Sequence, residues 1–213
     1  MRRQAIGSAL AGGPGGRALR YGPSMSPGET ERAADGKHVA LLRAVNVGGR
    51  NRISMAHLRE LLEGLGYGGV RTHLQSGNAV FTATATPPER VAHKIERALA
   101  DELGLAAKVL VRTHAELERV VADNPLLDVA SDHARLLVTF LSEAPAQEAL
   151  SALAPADFEP DVFAAGEREI YAWYPDGVRA TRLSNAFWER RLGVVATGRN
   201  WNTVTRLLEL AEA

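Results

Sequence analysis

Hydrophobic and polar positions along this chain alternate between two periods, and the changes of period mark the elements. "HVALLRAV" (38–45) reads as a strand, and strict alternation along it sets Val39, Leu41, Arg43 and Val45 on one face. Ser54 then stands where a helix cap belongs. Behind it Met55, Leu58, Leu61, Leu62 and Leu65 recur at helical spacing until Gly66. "VRTHLQ" and "NAVFT" predict two strands joined by a short hairpin at Ser76-Gly77. Thr86 and Glu89 bracket Pro87-Pro88 as a capping box, opening a helix whose apolar face is Val91, Ile95, Ala98, Leu99 and Leu103. Gly104 closes it. "AKVLVR" is a fourth strand, and Thr113 with Glu116 opens a third helix that Asn124-Pro125 ends.

The second half runs through the same order. "ARLLVTFL" is a strand, Pro145 to Leu153 a helix, and "DVFAA" and "REIYAWY" are strands turning at Gly166. Leu183 to Leu192 is a helix, "VVAT" a short strand, and Trp201 to Leu210 a terminal helix. Each half is therefore βαββαβ plus one helix. The expected fold class is α+β, with two ferredoxin-like subdomains over residues 37–128 and 129–213. What repeats is the order of elements, not the residues. Ahead of them, residues 1–36 are dense in glycine and proline and keep neither period, so a disordered extension is expected there. Met25 within it offers an alternative natural start.

Composition narrows the functional classes. The chain has 213 residues, 46% of them hydrophobic, with 25 basic side chains balanced by 25 acidic ones. That balance argues against a general polyanion coat and leaves room for a local basic patch. There are no cysteines, which removes disulfides, thiolate metal sites and cysteine nucleophiles. No apolar run approaches the roughly 20 residues that span a bilayer, and the apolar part of the N-terminus is short and broken by Gly7 and Ser8. A cytoplasmic protein with no membrane partner is expected.

The chemistry concentrates where "LLRAVNVGGRNRISM" leaves the first strand. A guanidinium at Arg43 among aliphatic neighbours needs a carboxylate, carbonyls or a ligand, because an unpaired buried charge costs several kcal/mol. Asn46 follows, then Gly48-Gly49, a pair able to turn backbone amides inward as an anion nest. Ser54 opens a helix whose dipole favours a negative group, yet Arg50 and Arg52 stand just ahead of that positive end, where helix stability does not explain them. Arg43, Asn46, Gly48, Gly49, Arg50, Arg52 and Ser54 therefore form a candidate anion site. A plain turn, an internal ion pair and solvated arginines explain the same residues. The loop is neither a P-loop nor a dinucleotide fingerprint.

A second cluster is Ser76 and Asn78 in "QSGN", with Arg199, Asn200, Trp201 and Asn202 in "TGRNWN". Asn200 and Asn202 suit helix capping, and Trp201 shares an apolar helix face with Val204, Leu207, Leu208 and Ala211. Arg199 has no such local role. Tyr171, Trp173 and Tyr174 could stack bases, although a strand buried on both sides accounts for them equally. Ser76 lacks a nucleophile-elbow context, the six histidines show no paired metal spacing, and no catalytic group or cofactor is assigned.

"ALLRAVNVGGRNRISMAHLRELLEGLGYGGVRTHLQSGNAVF" and "GVVATGRNWNTVTRLLELA" together resemble the signature segments of the family called domain of unknown function 1697. The resemblance runs from about Val39 to Leu210. It implies a bacterial-type α/β protein with ferredoxin-like parts, and no established activity, substrate or cofactor. Ala44 and Val45 stand where the family often has glycine and isoleucine. The resemblance singles out Arg43, Asn46, Gly48, Gly49, Ser76, Gly77, Asn78, Arg199, Asn200, Trp201 and Asn202 without separating function from architecture. Three functions compete on these grounds: a module binding a phosphorylated small molecule or single-stranded nucleic acid, a small-molecule enzyme with an unrecognised polar site, and a protein-interaction domain.

Overall fold

Apolar residues at every position of a strand require cover on both faces, and the fold supplies it twice. A computed structural model describes residues 36–47, 51–84 and 86–213. The first half forms β1 (Gly36–Leu42), α1 (Met55–Gly64), β2 (Gly68–His73), β3 (Asn78–Ala83), α2 (Pro88–Leu103), β4 (Val109–Thr113) and α3 (His114–Ala122). The second forms β5 (Leu136–Leu141), α4 (Gln147–Ser151), β6 (Val162–Ala165), β7 (Glu169–Trp173), α5 (Asn185–Leu192), β8 (Ala196–Asn200) and α6 (Trp201–Glu212). Two antiparallel four-stranded sheets result, ordered β2-β3-β1-β4 and β6-β7-β5-β8, the split βαβ arrangement in both. Gly36, expected in the extension, begins β1, and the remainder of the extension lies outside the described residues.

The registers of the two sheets superimpose. Val39 lies opposite Val80 and Arg112, and Val138 lies opposite Tyr171 and Arg199. Alternation divides each strand between two cores. Val39 and Leu41 of β1 face a central core that also holds Val138 and Phe140 of β5, Leu117 and Val120 of α3, and Trp201, Val204 and Leu207 of α6. Ala40 and Leu42 face the opposite way, toward α1 and α2. In the second half Leu141, Ile170, Ala172 and Tyr174 pack on Trp188 and Leu192 of α5. The two sheets thus share one core, and α3 packs against α6 within it.

Local chemistry accounts for most of the boundaries. Ser54 caps α1 by accepting from the His57 amide at 3.1 Å, and Thr113 with Glu116 forms the expected capping box. Gly104 ends α2 at φ 62°. Two expectations need adjusting. The second helix begins at Pro88 with Pro87 as its cap and no side-chain bond, so Thr86 plays no capping part. The first strand stops at Leu42, where Ala44 takes φ 55°, so Val45 packs with the outer core instead of following Leu41.

Candidate functional site

The corner after β1 is built from backbone outward. The Leu42 amide donates to the Gly77 carbonyl at 2.8 Å, and the Arg43 amide donates to the Lys108 carbonyl at 2.7 Å. The chain then turns through Ala44 and Asn46, both at positive φ. The Asn46 side chain donates to the carbonyls of Ile53 at 2.8 Å and Gln75 at 2.7 Å, and accepts from the Ile53 amide at 2.9 Å. One amide side chain therefore fastens the 46–53 loop to the β2–β3 turn.

The arginine of this corner has an internal partner. Arg43 donates Nε and Nη2 to the two carboxylate oxygens of Glu189 on α5, at 2.8 and 2.7 Å. That bidentate bond holds the Glu189 carboxyl below the usual carboxylate range and raises the Arg43 guanidinium. Arg52 is exposed beside the Ser54 cap, and Gly48, Gly49 and Arg50 lie outside the described residues.

The second cluster meets the first at Arg199, which is 7% exposed. Its Nη2 donates to the Leu42 carbonyl at 2.8 Å and the Ser76 carbonyl at 3.2 Å. Nη1 reaches the Thr197 hydroxyl at 2.7 Å, and Nε bonds the Asn78 side-chain oxygen. Burial pulls its pKa down to about 10, which leaves it charged at neutral pH. The fully buried Asn78 donates to the His73 carbonyl at 2.8 Å and to the Ser76 hydroxyl at 2.9 Å. Asn200 and Trp201 point elsewhere. Asn200 caps α6 and donates to the Ala134 carbonyl at 2.7 Å, Trp201 sits in the central core, and Asn202 is exposed on α6.

Arg112 went unnoticed in the sequence and mirrors Arg199. It is 3% exposed and donates to the carbonyls of Val111 at 3.1 Å, Leu141 at 2.6 Å and Arg168 at 3.0 Å. Its pKa is also pulled down to about 10 by burial. Leu141 ends β5 as Leu42 ends β1, so each half inserts an arginine into the other's strand end. The available signal was alternation in "VLVR", which aligns Arg112 with Leu110. Nearby, Arg168 pairs with Glu89 at 3.1 Å and with Glu116. The carboxylate of Glu169 accepts from the amides of Glu167 and Arg168, and burial pushes its pKa up. Among the described residues no three His, Asp or Glu side chains converge as metal ligands.

Two split-βαβ sheets joined by reciprocal buried arginines define an α+β protein with an internally repeated plan. The chain belongs to the family described as protein of unknown function (DUF1697), whose model matches residues 36–171. A conserved bacterial protein, SP0830 from Streptococcus pneumoniae, has a similar structure. The TM-score is 0.66 at 22% identity, over 84% of this chain and 99% of that one, a likeness of fold. No curated protein matches the chain.

Proposed function

We propose that the protein is a binding module for a phosphorylated ligand, and that the ligand docks on the loops at the end of β1 and between β2 and β3. Arg43, Arg199 and Asn78 then belong to the scaffold beneath the site, and Arg52 and Ser54 with the first turn of α1 to its surface. One observation carries the reading. Among the described residues, every non-glycine at positive φ lies in these two loops: Ala44, Asn46, Asn51 and Leu74 at 55°, 56°, 50° and 57°. Asparagine adopts this region readily, but for alanine and leucine it costs roughly 1–2 kcal/mol each. Such strain persists where surrounding structure over-determines it, and it gathers at ligand clamps.

Arg52, exposed just ahead of α1, suits a phosphate oxygen there, which would also complement the helix dipole. A cytoplasmic setting, expected from the composition, would supply such ligands. The test is a thermal-shift panel of inorganic phosphate, nucleotides and a short single-stranded RNA. A binder should raise the melting temperature by mass action, less so at high salt or in Arg52→Ala. No shift with any of them would sink the reading.

The same loops favour a second reading through Val47 and Leu74, which are 67% and 56% exposed. Exposed apolar side chains on these loops suit a protein partner. A partner lost on Leu74→Asp and retained in Arg52→Ala would favour that reading.

A further inference from the structure

Next to the reciprocal arginines the two halves repeat the same backbone bonds at the strand ends, and they differ in the side chain that stands there. The amide after β1 (Arg43) donates to the Lys108 carbonyl, and the amide after β5 (Ser142) donates to the Val195 carbonyl, at 2.7 and 2.9 Å. A glutamate then serves the first residue of each closing strand. Glu96 Oε1 accepts from the Val109 amide at 2.9 Å, and Glu189 Oε1 accepts from the Ala196 amide at 3.2 Å. In one copy the Arg43 guanidinium fills the space and grips both oxygens of Glu189. In the other copy arginine is replaced by Ser142, whose hydroxyl reaches only the Val195 amide at 3.1 Å. A groove of about 320 Å³ is left there, lined by Glu96, Ser142, Glu143, Ala92 and Val195 among others.

We infer that this groove binds a small molecule carrying a guanidinium group, seated against Glu96 as the Arg43 side chain is seated against Glu189. The Glu96 side chain is 18% exposed, and its second oxygen is engaged by Lys108 at 3.3 Å and His93 at 3.7 Å. Lys108 is 60% exposed, so that contact is worth little and yields readily to a bidentate cation. The other cations of the groove are already satisfied. Arg112 is bonded to carbonyls, and Arg168 is neutralised by Glu89 and Glu116. Glu143 adds a further negative charge to the lining. Ala92 and Val195 offer apolar surface to an aliphatic stem. The ligand so described is a guanidinium head on a short alkyl chain.

Agmatine is a suitable probe, titrated calorimetrically into the full chain, with putrescine (ammonium heads) and a neutral alkylurea as controls. The expected result is one site for agmatine, weaker binding of putrescine and none of the urea. Glu96→Gln should weaken agmatine by about tenfold or more, since a hydrogen bond to a charged group contributes about 1.5–3 kcal/mol. Ser142→Arg should supply the missing side chain internally and abolish binding while the fold, read by circular dichroism, is kept. Arg43→Ser should open the equivalent space at Glu189 and raise the stoichiometry to two. Binding that survives in Ser142→Arg overturns the inference. So does an Arg43→Ser variant that binds agmatine when the wild-type chain binds none.

Discussion

At the scale of single residues, the buried arginines are the positions where one atom group carries the most. Replacing Arg199 by Met removes its donors from the carbonyls of Leu42 and Ser76 and from the side-chain oxygen of Asn78, and leaves Leu42 only the long bond from the Thr197 hydroxyl at 3.5 Å. It is expected to cost about 3 kcal/mol or more, measured as a lowered urea midpoint at unchanged slope. Arg112→Met should behave alike, because it removes donors from the carbonyls of Leu141 and Arg168. A cost below 1 kcal/mol for both would mean that the carbonyls find water instead. Gly77 is the other singular residue. At φ 74° an added Cβ would stand 2.5 Å from the Val45 side chain and 2.8 Å from the Leu42 Cβ. Gly77→Ala should lose roughly 2–3 kcal/mol in the same assay, from strain and overpacking together. That the half-buried Arg43 needed a partner could be read from "HVALLRAV", since alternation put it among aliphatics. Which partner could not: Glu189 lies 146 residues away, and nothing local in either segment refers to the other.

At the scale of elements, pieces with a complete local cause were legible and pieces governed by tertiary contact were not. Thr113 and Glu116 are three residues apart and satisfy each other's backbone, so the start of α3 could be read from four letters. Thr113→Ala should cost about 1 kcal/mol, seen as a lower melting temperature. Thr86 and Glu89 have the same spacing, but the helix between them starts at Pro88 and takes Pro87 as its cap, so the pattern found no geometry to act on. β1 ended early because Ala44 turns left-handed, a conformation that neither its type nor its neighbours announce. The join of β1 to α5 also sets a pH dependence. Arg43 depresses the Glu189 pKa, so the pair stabilises the fold above the ordinary carboxylate value of 4.5, and this contribution is lost as pH falls through the depressed value. Arg43→Met should therefore be less stable than wild type by roughly 1.5–3 kcal/mol at pH 7. The gap should close in acid unfolding series below that range. A gap that stays constant down to pH 2 would assign the loss to packing.

At the scale of the whole molecule, both βαββαβ orders were legible because each strand and helix carries its own period, whereas the shared central core was not. Val39 and Trp201 belong to the same cluster, and no spacing within either segment shows it. Division of the chain at 128/129 is best tested by cutting it there. Fragments 36–128 and 129–213 are each expected to lack a cooperative thermal transition alone and to regain one when mixed, because each leaves half of that core uncovered. A cooperative melt from either fragment by itself would show that its sheet is self-sufficient. The reciprocal arginines carry this dependence into the time course of synthesis. When Arg112 is synthesised, the carbonyls of Leu141 and Arg168 that it will bond have not yet been made. At about 5–20 residues per second, the remaining chain takes roughly ten seconds to appear. Through that interval the nascent first half leaves the sheet face of Val39 and Leu41 uncovered and the Arg112 guanidinium without the carbonyls of the second half.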